Sequence, residues 1–90
     1  MNDTIPYRNA ARRLARILAL VRTLHFASPA TPPTRREVVR RFVEMHPDEL
    51  TIHGVKAAID RAIGGGLLLS HDGGGLSLTD AGEIHADAHA

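Results

Sequence analysis

The 90-residue chain contains no cysteine and no tryptophan, and its aromatic content is only 3%. Without cysteine, neither a disulfide framework nor a thiolate metal site can form. Leucine, isoleucine, valine and alanine must therefore supply the core of a domain this small. No apolar run approaches the roughly 20 residues that a membrane-spanning helix needs, so we expect no membrane partner.

Signatures of catalysis and of export are also missing. The glycines at 64–66 and 73–75 do not lead into the GK[ST] of a phosphate loop. The chain has no G-x-S-x-G motif and no cysteine that could act as a nucleophile. We therefore expect no enzymatic activity and no cofactor. The N-terminal residues do not form a signal peptide, which favours a cytoplasmic location.

Charge is distributed unevenly along the chain, although the net charge is only +1. Residues 1–41 contain nine arginines and two acidic residues, whereas residues 42–90 contain eight acidic and two basic residues. This asymmetry indicates an anionic partner for the first half, but the two halves can equally neutralise each other within one chain or across a dimer.

Hydrophobic periodicity predicts a long first helix from Tyr7 to about Ala27. A proline-rich connector at 28–33 follows it, with room for a short edge strand at residues 30–31. The apolar stripe of this helix contains Ala10, Leu14, Ile17, Leu18, Val21 and Leu24.

A second helix begins at Thr34, which forms a capping box with Glu37. It ends at His46-Pro47, because a residue before proline is displaced from helical geometry. The expected apolar positions of this second helix are Val38, Val39, Phe42, Val43 and Met45.

Thr51 is the expected N-cap of a third helix, which ends at the glycines of 64–66. Its expected inward positions are Ile52, Val55, Ile59, Ala62 and Ile63.

Short strands at 67–70 and 76–78 flank the turn-forming residues 71–75, so we expect a β-hairpin. Thr79 then caps a last helix from about Asp80 to Ala88. The sequence predicts a single domain over 1–90, mainly α with a small β-hairpin. We expect residues 1–5 to be loose and residues 86–90 to be frayed.

The order of three helices, a hairpin and a capped tail resembles the winged helix-turn-helix superfamily of DNA-binding regulators across roughly residues 10–85. VKAAIDRAIGGGLLL at 55–69 is similar to the family's recognition helix and its exit, and TRREVV at 34–39 to the start of its second helix. LSLTDAG at 76–82 is similar to the second wing strand and the Leu-Thr-x-x-Gly after it. The resemblance implies a three-helix core, a two- or three-stranded antiparallel sheet as the wing, and a short C-terminal helix.

The resemblance also implies a transcriptional regulator that binds double-stranded DNA as a homodimer. The third helix would enter the major groove, and the start of the second helix would hold phosphate. The candidates for phosphate binding are Thr34, Arg35 and Arg36. The candidates for facing the bases are Thr51, His53, Lys56, Ala57 and Arg61.

Three alternatives accompany this hypothesis. The same fold could serve as a protein-protein interaction module that does not bind DNA, and Leu20 and Phe26 are candidates for a dimer contact. A metal sensor based on His85 and His89 is disfavoured, because zinc needs three or four converging ligands, so we expect no metal.

For the arginines of the first helix, pairing with acidic residues or a dimer contact is favoured over contact with DNA. These arginines are Arg8, Arg12, Arg13 and Arg16, and their candidate partners are Glu44, Glu49, Glu83 and Asp87.

Overall fold

The computed structural model describes the backbone of residues 4–89 and the side chains of residues 10–89. The protein is mainly helical with a small two-stranded antiparallel sheet, as predicted. Residues 1–3 and 90, parts of the predicted loose ends, lie outside the described residues. The elements are α1 (Thr4–Ala27), α2 (Arg35–Met45), α3 (Ile52–Gly64), β1 (Leu68–Ser70), β2 (Leu76–Leu78) and α4 (Asp80–Ala88).

A threonine caps each of the helices α2, α3 and α4, which confirms the predicted starts. The hydroxyl oxygens of Thr34, Thr51 and Thr79 each accept a hydrogen bond from the amide three residues later, at 3.0–3.1 Å. Only half of the predicted capping box forms at Thr34, because the hydrogen bonds of residues 10–89 include none from the Thr34 amide to the Glu37 carboxylate.

The core brings together one face of each helix and the inward side of the hairpin. The buried core cluster consists of Ile17, Leu18 and Val21 of α1, Val38, Val39 and Phe42 of α2, Val55, Ile59 and Ala62 of α3, and Leu68, Leu76 and Ala86.

No helix among the described residues is both long and apolar enough to cross a bilayer.

Four positions differ from the predicted pattern. Met45 and Ile52 were expected to face inward but are 59% and 52% exposed, because both lie at helix ends beyond the reach of the core. Ala10 is exposed as well, because the groove that it lines with residues of α3 and α4 is open to solvent. Leu20, a dimer candidate, is half-buried and packs against the core.

The junction between α3 and β1 holds the start of α4. Gly66 adopts a φ of 77°, and the next amide, of Leu67, donates to the Ala62 carbonyl at 2.8 Å. β1 therefore begins at Leu68, one residue later than predicted. The Leu67 carbonyl accepts the Thr79 amide at 3.1 Å, and the Thr79 hydroxyl donates to the Gly66 carbonyl.

The hairpin also contacts the start of α2. β1 and β2 pair in register from Leu68 with Leu78 to Ser70 with Leu76. Residues 30–31, which were predicted as an edge strand, lie in a turn instead, where the Thr31 amide donates to the Ser28 carbonyl at 3.0 Å. The contact with the hairpin is an isolated antiparallel bridge between Thr34 and Gly75. A Cβ on Gly75 would lie 3.0 Å from the Pro32 Cβ, so a glycine suits this close approach.

Candidate functional site

The groove between α2 and α3 collects most of the positive charge near the third helix. It has a volume of about 540 Å³. Two of the three predicted phosphate residues, Arg35 and Arg36, line it together with Lys56 from α3, and Arg40 adds a fourth cation. All four side chains belong to exposed residues. An anion at this groove would therefore meet cations from two helices.

Two of these cations have acidic partners. Arg35 donates to the Asp60 carboxylate at 2.7 Å, which links the start of α2 to α3. Arg40 lies 3.8 Å from the Glu44 carboxylate on the same helix. None of the ion pairs within residues 10–89 involves Arg36 or Lys56. These two side chains are the groove's readiest donors to an external anion.

The start of α2 adds backbone donors to this positive surface. Thr34, the third predicted phosphate residue, is exposed, and its hydroxyl oxygen accepts the Glu37 amide at 3.1 Å. The hydroxyl proton remains able to donate. The free amides of a first helical turn and the helix dipole favour an anion at this position.

The outward face of α3 is small and carries mixed charge. His53, Lys56, Ala57 and Asp60 are all exposed. Thr51 is exposed too, but its hydroxyl oxygen accepts the Gly54 amide at 3.1 Å. The exposed face therefore offers one ammonium group, one imidazole and one methyl group beside a carboxylate.

Arg61 and Lys56, two of the candidates for facing the bases, line different grooves. The groove of Arg61 has a volume of about 380 Å³ and is also lined by Ala10, Ala11 and Leu14 of α1, by His85 of α4 and by His89 directly after α4. Five positions separate Lys56 from Arg61, which places them roughly 140° apart around the helix. The structure therefore places Lys56 in the groove beside α2 and Arg61 in the groove beside α1 and α4.

The hairpin tip, residues 71–75, contributes no Lys or Arg to the site. His71 Nε2 lies 2.7 Å from the Ser77 hydroxyl, and Asp72 beside it is exposed. Gly73 and Gly74 have φ values of 90° and 92°, a conformation that glycine adopts without strain. Attraction of an anion must therefore come from the helices.

Of the α1 arginines predicted to pair with acidic residues, Arg16 forms an ion pair, whereas Arg12 and Arg13 form none within residues 10–89. Arg16 pairs with Glu49 in the loop after α2, and this hydrogen bond lowers the pKa of the Glu49 carboxyl. Burial opposes this lowering and is the second-largest contribution, and the charges of Arg16, His46 and Arg13 lower the pKa further by smaller amounts. Asp87 pairs with Arg22 at 3.1 Å. The side chain of Arg8 lies outside the described residues.

The two dimer candidates do not form one surface. Phe26 is 86% exposed at the end of α1, whereas Leu20 packs against the core. Six positions along a helix place these two side chains about 120° apart.

The terminal histidines lie close together. The rings of His85 and His89 have centroids 4.5 Å apart. The described part of the chain contains no cluster of three or more His, Cys, Asp or Glu side chains that could hold a metal ion.

Two residues at the groove were not predicted from the sequence: Arg40 lines the groove, and Asp60 pairs with its lining residue Arg35. Arg40 follows Arg36 by four positions, and Asp60 follows Lys56 by four. Residues spaced by four lie on the same helix face, so this spacing was the available signal. The approach of α2 to α3, which joins the two faces, required the structure.

Comparison of the chain with protein-family models, with curated proteins and with solved structures gives no match. The chemistry of the site therefore follows from its own residues.

Proposed function

We propose that the protein is a winged-helix DNA-binding protein that regulates transcription in the cytoplasm. Helix α3 would enter the major groove, the start of α2 would hold phosphate, and the β1–β2 hairpin would be the wing. The mainly helical fold with its small antiparallel sheet is compatible with this layout.

One observation carries the proposal. Arg36 and Lys56 project from two helices into the same groove, and neither belongs to an ion pair within residues 10–89. Cations that neutralise phosphates displace condensed counterions from DNA, and this release drives binding at low salt. The α2 amides beside Arg36 supply further donors to the same backbone.

Base recognition would come from the exposed side of α3. Lys56 can donate to a guanine edge or to a phosphate, and the Ala57 methyl can contact a thymine methyl. The Asp60 carboxylate repels phosphate, but its pair with Arg35 offsets that charge. We therefore expect modest affinity that depends mainly on contacts with the DNA backbone.

The experiment compares the salt dependence of duplex binding for two double variants. Arg36→Gln/Lys56→Gln removes the two cations of the groove that have no acidic partner in residues 10–89. Each lost phosphate contact should reduce the slope of log K against log salt by about 0.9, so the slope should become shallower by about 2. Fluorescence anisotropy with a duplex of mixed sequence measures this change.

The matched control is Arg12→Gln/Arg41→Gln, which removes the same charge from two exposed positions outside the groove. The control should lower the affinity less and leave the slope near that of the wild type. Equal slopes for the two double variants would show that the groove does not bind phosphate.

A protein-interaction module is the second candidate, and a specific feature favours it. Ile52 is 52% exposed and lines the same groove as Val39 and Val43. Apolar surface of this kind has no use at a phosphate backbone but suits a protein partner. Failure of the wild type to bind any duplex at low salt would favour this function.

A further inference from the structure

The outer face of α4 is acidic around one exposed apolar side chain. Ile84 is 70% exposed. Asp80, Ile84 and Asp87 follow the spacing that places residues on one helix face, and Glu83 lies beside them. Asp87 pairs with Arg22 of α1, and Asp80 and Glu83 line a groove with Arg22 and His25, but neither Asp80 nor Glu83 belongs to an ion pair within residues 10–89. This surface, the α4 face, consists of Asp80, Glu83, Ile84 and Asp87.

The groove between α2 and α3 has the opposite arrangement. Val39, Val43 and Ile52 are its apolar lining, and Ile52 remains 52% exposed. Arg36 and Lys56 are cations of the same groove without an acidic partner in the described side chains. Glu44 also lines the groove, 3.8 Å from Arg40, but the four cations outnumber it. The groove therefore pairs apolar surface with net positive charge, whereas the α4 face pairs an apolar side chain with negative charge.

We propose that the α4 face of one copy docks into the α2–α3 groove of a second copy. Ile84 would contact the apolar lining, and Asp80 and Glu83 would meet Arg36 and Lys56. Complementary charge favours this occupant over an apolar or a basic one. The inference does not depend on DNA binding.

This contact joins two different surfaces, so the interface is heterologous. Each chain carries one α4 face and one groove, and both are available for binding in a head-to-tail assembly. The contact area of one short helix is small, so association is weak and needs high protein concentration. Salt weakens it, because the charges lie at the surface.

The first experiment is sedimentation velocity of the full chain without DNA, over a concentration series at low salt. The weight-average mass should rise above that of the monomer with increasing concentration and should fall when salt is added. A wild-type chain that stays monomeric throughout the series would overturn the proposal.

Two single variants block one surface each. Ile52→Glu places a carboxylate in the groove, at a helix start that tolerates acidic residues. Ile84→Lys places a cation on the α4 face. Each variant alone should remain monomeric. A 1:1 mixture should form a heterodimer of about twice the monomer mass, because one intact face meets one intact groove.

A matched control tests whether the contact is specific. Leu69→Glu changes a residue of β1 that is as exposed as Ile52, at 52%. This variant should associate like the wild type.

Three results would contradict the proposal in the variants. The first is association of Ile52→Glu alone or Ile84→Lys alone to the same extent as the wild type. The second is a 1:1 mixture of these two variants that remains monomeric, and the third is loss of association in Leu69→Glu. Circular dichroism shows whether each variant is folded. Because mass is measured without DNA, these outcomes are independent of the proposed DNA binding.

Discussion

Helices α2 and α4 begin in the same way but carry opposite charge. Each starts after a threonine whose hydroxyl oxygen accepts an amide three residues later. α2 contains four arginines and two glutamates, whereas α4 contains three acidic residues and no Lys or Arg. No ion pair within residues 10–89 joins α2 to α4. The caps and the apolar spacing establish the helices. Arg36, Asp80 and Glu83 remain available for external partners, because none of them belongs to an ion pair within residues 10–89.

The two helices also differ in how they attach to the rest of the domain. α2 buries Val38, Val39 and Phe42 in the core. α4 buries only Gly82 and Ala86, so its backbone lies close to its neighbours. α2 is therefore held by side-chain volume, and α4 by close backbone approach.

The largest expected effect of a substitution on the free energy of unfolding is at Gly82, where α4 meets the junction before β1. A Cβ at this position would overlap the Leu67 carbonyl oxygen. Gly82→Ala must displace either α4 or the junction, at a cost of about 3 kcal/mol in the free energy of unfolding. Urea denaturation followed by circular dichroism measures this loss.

The matched control for that prediction is Gly64→Ala at the end of α3. A Cβ at Gly64 has no neighbour within 4 Å. The same substitution should stabilise the protein there by about 0.4–1 kcal/mol, because alanine restricts the unfolded chain more than glycine. Equal losses for the two variants would contradict the close approach at Gly82.

The N-caps of α2 and α4 should differ in their contribution to the free energy of unfolding, and this difference is of intermediate size. The Thr79 hydroxyl accepts the Gly82 amide and also donates to the Gly66 carbonyl, whereas Thr34 makes only the capping bond among the described residues. Thr79→Ala should cost about 2 kcal/mol and Thr34→Ala about 1 kcal/mol in the free energy of unfolding. The same denaturation series measures both, and equal costs would remove the special role of Thr79.

The smallest effect concerns the ion pairs that connect α1 to the loop after α2 and to α4. Arg16 lowers the pKa of Glu49, so ionised Glu49 stabilises the fold above its ordinary pKa of 4.5. This contribution disappears as the pH falls through the lowered pKa. It should not exceed about 1 kcal/mol, because the pair is partly exposed.

Denaturation at neutral pH and at about pH 3 tests this prediction. Glu49→Gln should reduce the free energy of unfolding at neutral pH, and the difference from the wild type should shrink at the acidic pH. The matched control is Asp87→Asn, since Asp87 is 71% exposed in its pair with Arg22 and should cost less. If Glu49→Gln destabilised the protein more at about pH 3 than at neutral pH, the result would contradict a stabilising role of ionised Glu49.

The sequence predicted those parts of the fold that depend on neighbouring residues. Thr34, Thr51 and Thr79 begin helices because a side chain satisfies an amide only three positions away. β2 and α4 have the bounds expected for them. The buried positions of α1 and α3 also follow from helical spacing, with the departures at the helix ends.

The remaining features depend on which elements pack against each other. Helical spacing gives the direction of Arg61 relative to Lys56, but not the identity of the helices that flank α3. The structure places Lys56 beside α2 and Arg61 beside α1 and α4, so one predicted set of residues divides between two grooves. The pair between Arg35 and Asp60 depends on the same packing, because 25 positions separate its members.

The most direct test of the proposed function is the affinity of the wild-type chain for a duplex of mixed sequence across a salt series. We expect measurable binding at about 50 mM salt and a linear fall of log K with log salt, with a slope of about −2 to −4. This slope would correspond to two to four phosphates neutralised by the groove. Absence of binding at the lowest salt, or an affinity that does not change with salt, would contradict DNA binding by this surface.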